Sequence, residues 1–164
     1  MSALYWIVAV VAALRLAELG WARANTRRLV AEGGIEHGAR HYPLIVALHM
    51  AWLAALVVFA DSSAPFDWTF LGLFAALQVA RVWVVSSLGR FWTTRVITVP
   101  GVPLIRRGPY RFMRHPNYAV VAGEIAVLPL VFGAWEIALT FSVLNAAVLW
   151  RRIAVEDAAL AQRR

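Results

Sequence analysis

Four apolar stretches stand out along the chain, at 4–22, 43–60, 68–88 and 118–150, and the segments between them carry most of the charge. Each of the first three approaches the roughly 20 residues that an α-helix needs to cross bilayer hydrocarbon. The fourth runs for 33 residues, too long for one crossing at ~1.5 Å per residue, and holds Pro129, Gly133 and Glu136 near its middle. It is therefore read as a hairpin of two shorter helices, 118–132 and 134–150. The pattern predicts a single all-α integral membrane domain over 1–164 with about five transmembrane helices, the last two a helical hairpin. A polar cytosolic loop spans 89–117, and a polar helix end spans 151–164.

Composition supports a bilayer as the second solvent. The chain is 62% hydrophobic and 15% charged, with mean hydropathy +0.67, whereas a soluble domain is nearer half apolar and a quarter charged. A globule of this size cannot hide that excess in one core. All 16 basic residues are arginine, giving a formal charge of +7. A nucleic-acid binder would show such a charge, but here arginines alternate with long apolar runs, so anionic membrane lipid is the expected neighbour and nucleic acid is not. No cysteine is present, which excludes a disulfide scaffold, a thiol nucleophile and a thiolate metal site; no metal is expected.

Arginine placement orients the helices, because basic residues concentrate in short cytoplasmic loops. Arg23, Arg27, Arg28 and Arg40 lie between the first two helices, and six arginines from Arg90 to Arg114 lie between the third and fourth. Arg151, Arg152, Arg163 and Arg164 follow the fifth. The DSSAPFD and GAWE loops hold three acids and no arginine. Five spans with the N-terminus outside place every loop arginine in the cytosol. The N-terminus lacks a basic n-region and a small-residue cleavage site, so it is read as the first helix and not as a signal peptide. Short loops point to a bacterial inner membrane.

The segment GRFWTTRVITVPGVPLIRRGPYRFMRHPN, 89–117, carries three prolines and two glycines at 100–109, which predicts an ordered loop over the cytosolic face. A loop that only binds anionic lipid needs positive charge. It does not need the imidazole of His115 and the phenols of Tyr110 and Tyr118 crowded at a helix start. Pro116 biases His115 toward extended backbone and favours a helix beginning at Pro116 or Asn117, whose free N–H groups, with Arg111 and Arg114, suit a carboxylate. Farther on, RRIAVEDAAL places Arg152 and Glu156 four apart on one helix face. On spacing alone that is an ordinary surface ion pair. An antiparallel hairpin, however, brings Arg152, Glu156 and Asp157 beside His115 and Tyr118.

The stretch LIRRGPYRFMRHPNY, an apolar hairpin with PL in its first limb, and then RI followed by VED and L together resemble the isoprenylcysteine carboxyl methyltransferase family of membrane methyltransferases. The resemblance covers about 95–160. RLAELGWARAN and HYPLIVALH in the first two helices are similar to a bacterial branch associated with methylation of polyketide-derived phenolic lipids. The resemblance implies S-adenosylmethionine as cofactor and an oxygen, carboxylate or phenol, of a lipophilic acceptor as methyl recipient. It implies that Tyr110, Arg114, His115, Pro116, Asn117 and Tyr118 line the cofactor with backbone near Leu104 and Ile105. It further implies that Glu156 contacts the cofactor, that Arg152 faces the acceptor, and that Arg152, Glu156 and His115 carry the chemistry. Asp157 stands where relatives often have a second Glu.

Ionisable groups within apolar spans are costly and usually face protein. Arg15 and Glu18 are expected to pair inside the first helix. Arg81, His49 and Glu124 are candidates for lining an acceptor channel, with Glu124 the foremost, although each has a structural clamp as its plain alternative. Two other functions fit the composition: a phospholipid-type N-methyltransferase acting on an amine, and a non-catalytic membrane protein or transporter. Against the transporter, the polar residues cluster at one face and no inverted repeat is evident.

Overall fold

A computed structural model describes residues 2–161. Arg163 and Arg164, counted above among the cytosolic arginines, lie outside the described residues. Five α-helices dominate: α1 (Ala3–Ala31), α2 (Tyr42–Phe59), α3 (Trp68–Leu88), α4 (Pro116–Leu130) and α5 (Trp135–Ala161). Four of them, α1, α2, α3 and α5, are long and apolar enough to cross a membrane. The fourth apolar run is indeed broken: α4 ends after Pro129, Gly133 turns with φ +68°, and α5 starts two residues later.

Two boundaries differ from the apolar runs. The first helix continues from 22 to Ala31 through RANTRRLVA, and α5 continues from 150 to Ala161 through RRIAVEDAALA, both rich in Ala and Arg. Hydropathy marks where lipid ends, whereas the backbone continues helical wherever good helix formers follow. Helix α4 has 15 residues, about 22 Å, shorter than the ~30 Å hydrocarbon layer. Its reach is short because it is the enclosed helix of the bundle. It packs chiefly on α3 and α5, and Val120, Val121, Ile125, Val127 and Leu128 are buried.

Those side chains join Leu4, Val8 and Val11 of α1, Trp52 and Leu56 of α2, Phe74 of α3 and Ile137 of α5 in one apolar core. Outward-facing positions remain apolar, among them Val58, Phe59, Val79, Val82 and Val143, as expected where the surrounding solvent is lipid. At the opposite end from the polar loop, Asp67 caps α3 by accepting from the Thr69 and Phe70 amides at 2.9 and 3.2 Å. The Asp67 amide in turn donates to Val131 O at 3.0 Å, tying α3 to the end of α4.

The polar loop is ordered by three devices. A short strand β1 (Ile35–His37) pairs antiparallel with β2 (Val96–Thr98), with Glu36 opposite Ile97. Asn25 of α1 is buried and donates its amide to Gly89 O and Trp92 O at 3.2 and 2.9 Å. Arg107 donates to Ser87 O at 2.7 Å, strapping the proline-rich segment across the end of α3. Gly108 follows with φ +56°, where a Cβ would fall 2.0 Å from Ser87 Oγ, so no other residue fits that crossing.

Candidate active site

The strapped loop ends in a 3-10 turn at Gly108–Arg111 and delivers His115 to the start of α4. His115 has φ −126° and ψ 57°, outside the helical region as Pro116 requires. Helix α5 runs antiparallel to α4, so its post-apolar half passes over this start. The Tyr118 hydroxyl is the meeting point. It donates to Glu156 and accepts from Arg152 Nε at 2.9 Å. Arg152 Nη2 also donates to Thr94 O at 2.7 Å, fixing the guanidinium between α5, α4 and the loop before β2.

His115 stacks on Tyr118, with ring centroids 5.4 Å apart and planes at 22°. Its Nδ1 lies 3.7 Å from Glu156 and its Nε2 3.6 Å from Asp157. Both distances are too long for hydrogen bonds, and both ring nitrogens, together with Asn117 Oδ1, are buried without a hydrogen-bond partner. Buried polar atoms are nearly always satisfied, and these three, grouped around a single turn at the cavity wall, are free to bond a polar ligand. Nearby, burial pushes the Tyr110 phenol well above its usual pKa, with the Glu156 carboxylate adding to the shift. Tyr110 therefore stays a neutral hydroxyl and cannot act as a base.

This layer closes one end of a cavity of about 1100 Å³. Single-ligand sites occupy roughly 300–1,000 Å³, so the space admits a cofactor and part of a second molecule. Its polar end is walled by His115, Asn117, Tyr118, Arg152 and Glu156, and by the loop through Leu104, Ile105, Tyr110 and Arg114. Its other end runs between α1 and α2, past Val8, Ala12, Met50 and Val57, an apolar slot suited to a hydrocarbon tail.

Partway down that slot lies a second polar group. Arg81 donates through Nε and Nη2 to Glu18 at 2.6–2.9 Å and through Nη1 to Glu124 at 2.9 Å. Arg15 bonds Glu18 at 3.1 Å and Gln78 at 2.8 Å, and reaches Glu124 at 3.5 Å. Gln78 completes the set by donating to Glu124 at 2.8 Å. Two guanidiniums and two carboxylates thus neutralise one another between α1, α3 and α4. Arg15, Glu18, Arg81 and His49 reach the cavity wall, and His49 Nδ1 bonds Ile45 O at 2.8 Å.

Of the residues singled out from the sequence, Leu104, Ile105, Tyr110, Arg114, His115, Asn117, Tyr118, Arg152 and Glu156 line one end of the cavity, Arg15, Glu18, Arg81 and His49 line it farther along, and two depart from expectation. Glu124, expected on the acceptor channel, is not among the residues that line the cavity: it shares a helix face with Asn117 and Val121, but its carboxylate is taken up by Arg81, Gln78 and Arg15, and the two arginines line the wall in its place. Pro116 is buried as the first residue of α4 and shapes the helix start without facing the cavity. Three participants went unnoticed in the sequence: Thr94, whose carbonyl holds Arg152, Gln78 and Asn25. Only Asn25 and Gln78 left a signal, as lone amides on otherwise apolar helix faces.

The chain matches the isoprenylcysteine carboxyl methyltransferase (ICMT) family over residues 70–162, a segment holding α3, the loop, α4 and α5. Over 163 residues it is 39% identical to "Uncharacterized protein YpbQ" of Bacillus subtilis (strain 168), covering 96% of each chain. An uncharacterized protein of Haemophilus influenzae is 26% identical over 157 residues, 93% of this chain and 91% of that one. No solved structure matches. With its apolar helices, its bacterial relatives and a family match over more than half its length, the chain belongs to the ICMT family of integral membrane methyltransferases.

Proposed function

We propose that this protein transfers a methyl group from S-adenosylmethionine to an oxygen, carboxylate or phenol, of a lipophilic acceptor drawn from the bilayer. The observation that carries the reading is the convergence of α4 and α5 on the Tyr118 hydroxyl beside unsatisfied His115 and Asn117 atoms, at the polar end of a long apolar cavity. The residues fit such a cofactor. Arg114 and the free amides of the α4 start suit its carboxylate, Glu156 suits its hydroxyls, and the faces of Tyr110 and Tyr118 suit its cation. His115 and Asn117 gain the hydrogen-bond partners they lack, and backbone near Leu104 and Ile105 borders the adenosine end. When bound, the cofactor supplies a methyl group already activated by a positive sulfur.

What remains for the chain is alignment, which can supply about 7–11 kcal/mol of a barrier. Arg152 is anchored through Nε and Nη2, so its guanidinium is held in place to orient an acceptor oxygen. A carboxylate acceptor is ionised at neutral pH and needs no base. A phenol, with a pKa near ~10, gains from a proton acceptor, and the unbonded imidazole of His115 or the Glu156 carboxylate takes that role. The apolar slot between α1 and α2 receives the tail. Arginine placement supports a cytosolic site and C-terminus with the N-terminus outside, in a bacterial inner membrane.

The test is calorimetric titration of S-adenosylmethionine into detergent-purified protein. Saturable binding by wild type, weakened at least tenfold in His115→Ala, is the expected result. Absence of binding by wild type in both detergent and lipid would overturn the reading.

A further inference from the structure

The like charges of Arg23 and Arg27, four apart on α1, disfavour the helix, and among the described residues neither has a carboxylate partner. They form one side of a second, smaller cavity of about 170 Å³, closed by Thr26, Tyr42, Thr94 and Arg95. Arg95 is held in place: Nη1 bonds both Glu36 oxygens at 2.7 and 2.9 Å, and the guanidinium lies 4.6 Å over the Tyr42 ring. Three guanidiniums therefore stand against one carboxylate around a space too small for an organic cofactor. Thr94 Oγ1 donates to the Tyr42 hydroxyl at 3.1 Å, which leaves the Tyr42 proton available for a further acceptor. Arginines and hydroxyls converging on a compact space are the donor set of a tetrahedral oxyanion.

The depth of the pocket identifies the source of that anion. Arg23 comes directly after the apolar stretch of α1, next to the exposed Trp21. Tyr42 opens the apolar helix α2 on the other side. Trp and Tyr at span ends mark the membrane interface, the level at which lipid phosphates lie. We propose that the Arg23–Arg27–Arg95 pocket binds the phosphate of an anionic phospholipid headgroup. The pocket adjoins the large cavity, since Tyr42, Thr94 and Arg95 line both, and Thr94 also holds Arg152 through its carbonyl; Arg23, Thr26 and Arg27 line the small pocket alone.

The probe is dioctanoyl-phosphatidylglycerol titrated into full-length, detergent-purified protein, with dioctanoyl-phosphatidylcholine and inorganic phosphate as parallel arms. Saturable phosphatidylglycerol binding is expected, roughly thirtyfold weaker in the double variant R23Q/R27Q, the effect of two arginines at an anionic surface. Arg28→Gln, on the same helix but off the pocket wall, should bind as wild type does. If the double variant fails to fold, judged by its helical circular dichroism, Arg27→Gln alone should weaken binding about fivefold. Equal binding by wild type and a folded variant would overturn the site. Inorganic phosphate binding as tightly as the lipid, with the same dependence on Arg23 and Arg27, would overturn the lipid source in favour of a free oxyanion. Equal binding of phosphatidylcholine would overturn the requirement for an anionic headgroup. None of these titrations needs the methyl-transfer cofactor or an acceptor, so their failure is distinct from failure of the methyltransferase reading.

Discussion

Two polar groups face the same large cavity about 9 Å apart along α4, the distance from Tyr118 to Glu124 at the helical rise, and they are built in opposite ways. Around Arg81 the network is closed, with Arg15, Glu18, Gln78 and Glu124 meeting at 2.6–3.5 Å. Around Tyr118 it is open: His115 sits 3.6–3.7 Å from two carboxylates, with its nitrogens and Asn117 Oδ1 unbonded. Charges in a low-dielectric interior persist only when paired and hydrogen-bonded. A closed network is therefore a brace between helices, whereas an open one at a cavity wall has hydrogen-bonding capacity left for a ligand. Charged residues in apolar helices thus divide by hydrogen-bond closure, and closure is what separates Glu124 from Glu156.

The largest test of this contrast is on the brace. Arg81→Met leaves the Glu18 and Glu124 carboxylates without their main partner and should cost about 3–5 kcal/mol, read as a lowered unfolding midpoint in mixed micelles; a loss below ~1 kcal/mol would mean that water in the cavity already solvates the cluster. Next in size, Glu156→Gln should weaken S-adenosylmethionine binding about 10- to 100-fold, the range for one hydrogen bond to a charged group, while the unfolding midpoint barely moves. Unchanged affinity would take Glu156 out of the cofactor site. Smallest, Arg152→Ala should lower kcat about tenfold with a lesser change in cofactor Kd, the pattern of an interaction used on the acceptor during transfer. The reverse pattern would exchange the roles of Arg152 and Glu156.

Much of the bundle was legible in advance because a bilayer imposes long apolar runs, and Pro129 with Gly133 breaks the last of them where the chain turns. The meeting of the residues around Tyr118 was legible for a narrower reason. RHPNY and the Arg152–Glu156 spacing sit at the two open ends of one hairpin, and antiparallel helices must bring such ends together. The β1–β2 ribbon was not legible, since strands of three residues carry too little alternation to stand out. The helix end at Ala31 was missed because hydropathy reports the solvent and not the backbone. Glu124 was misplaced because the partners that cover its carboxylate, Arg15, Gln78 and Arg81, come from α1 and α3 and are not legible in the segment that carries it.

The sequence by itself determined the solvent, the number of helices and the hairpin, because these follow from runs of side chains and from local backbone rules. It also held the chemical parts of the site. Only the tertiary structure decided which partners those parts acquire: that Glu18 and Glu124 share Arg81, that Thr94 holds Arg152, and that His115 is left unbonded. Pairing depends on the relative rotation and depth of packed helices, which arise from side-chain packing among α1, α3, α4 and α5 and which no single segment encodes.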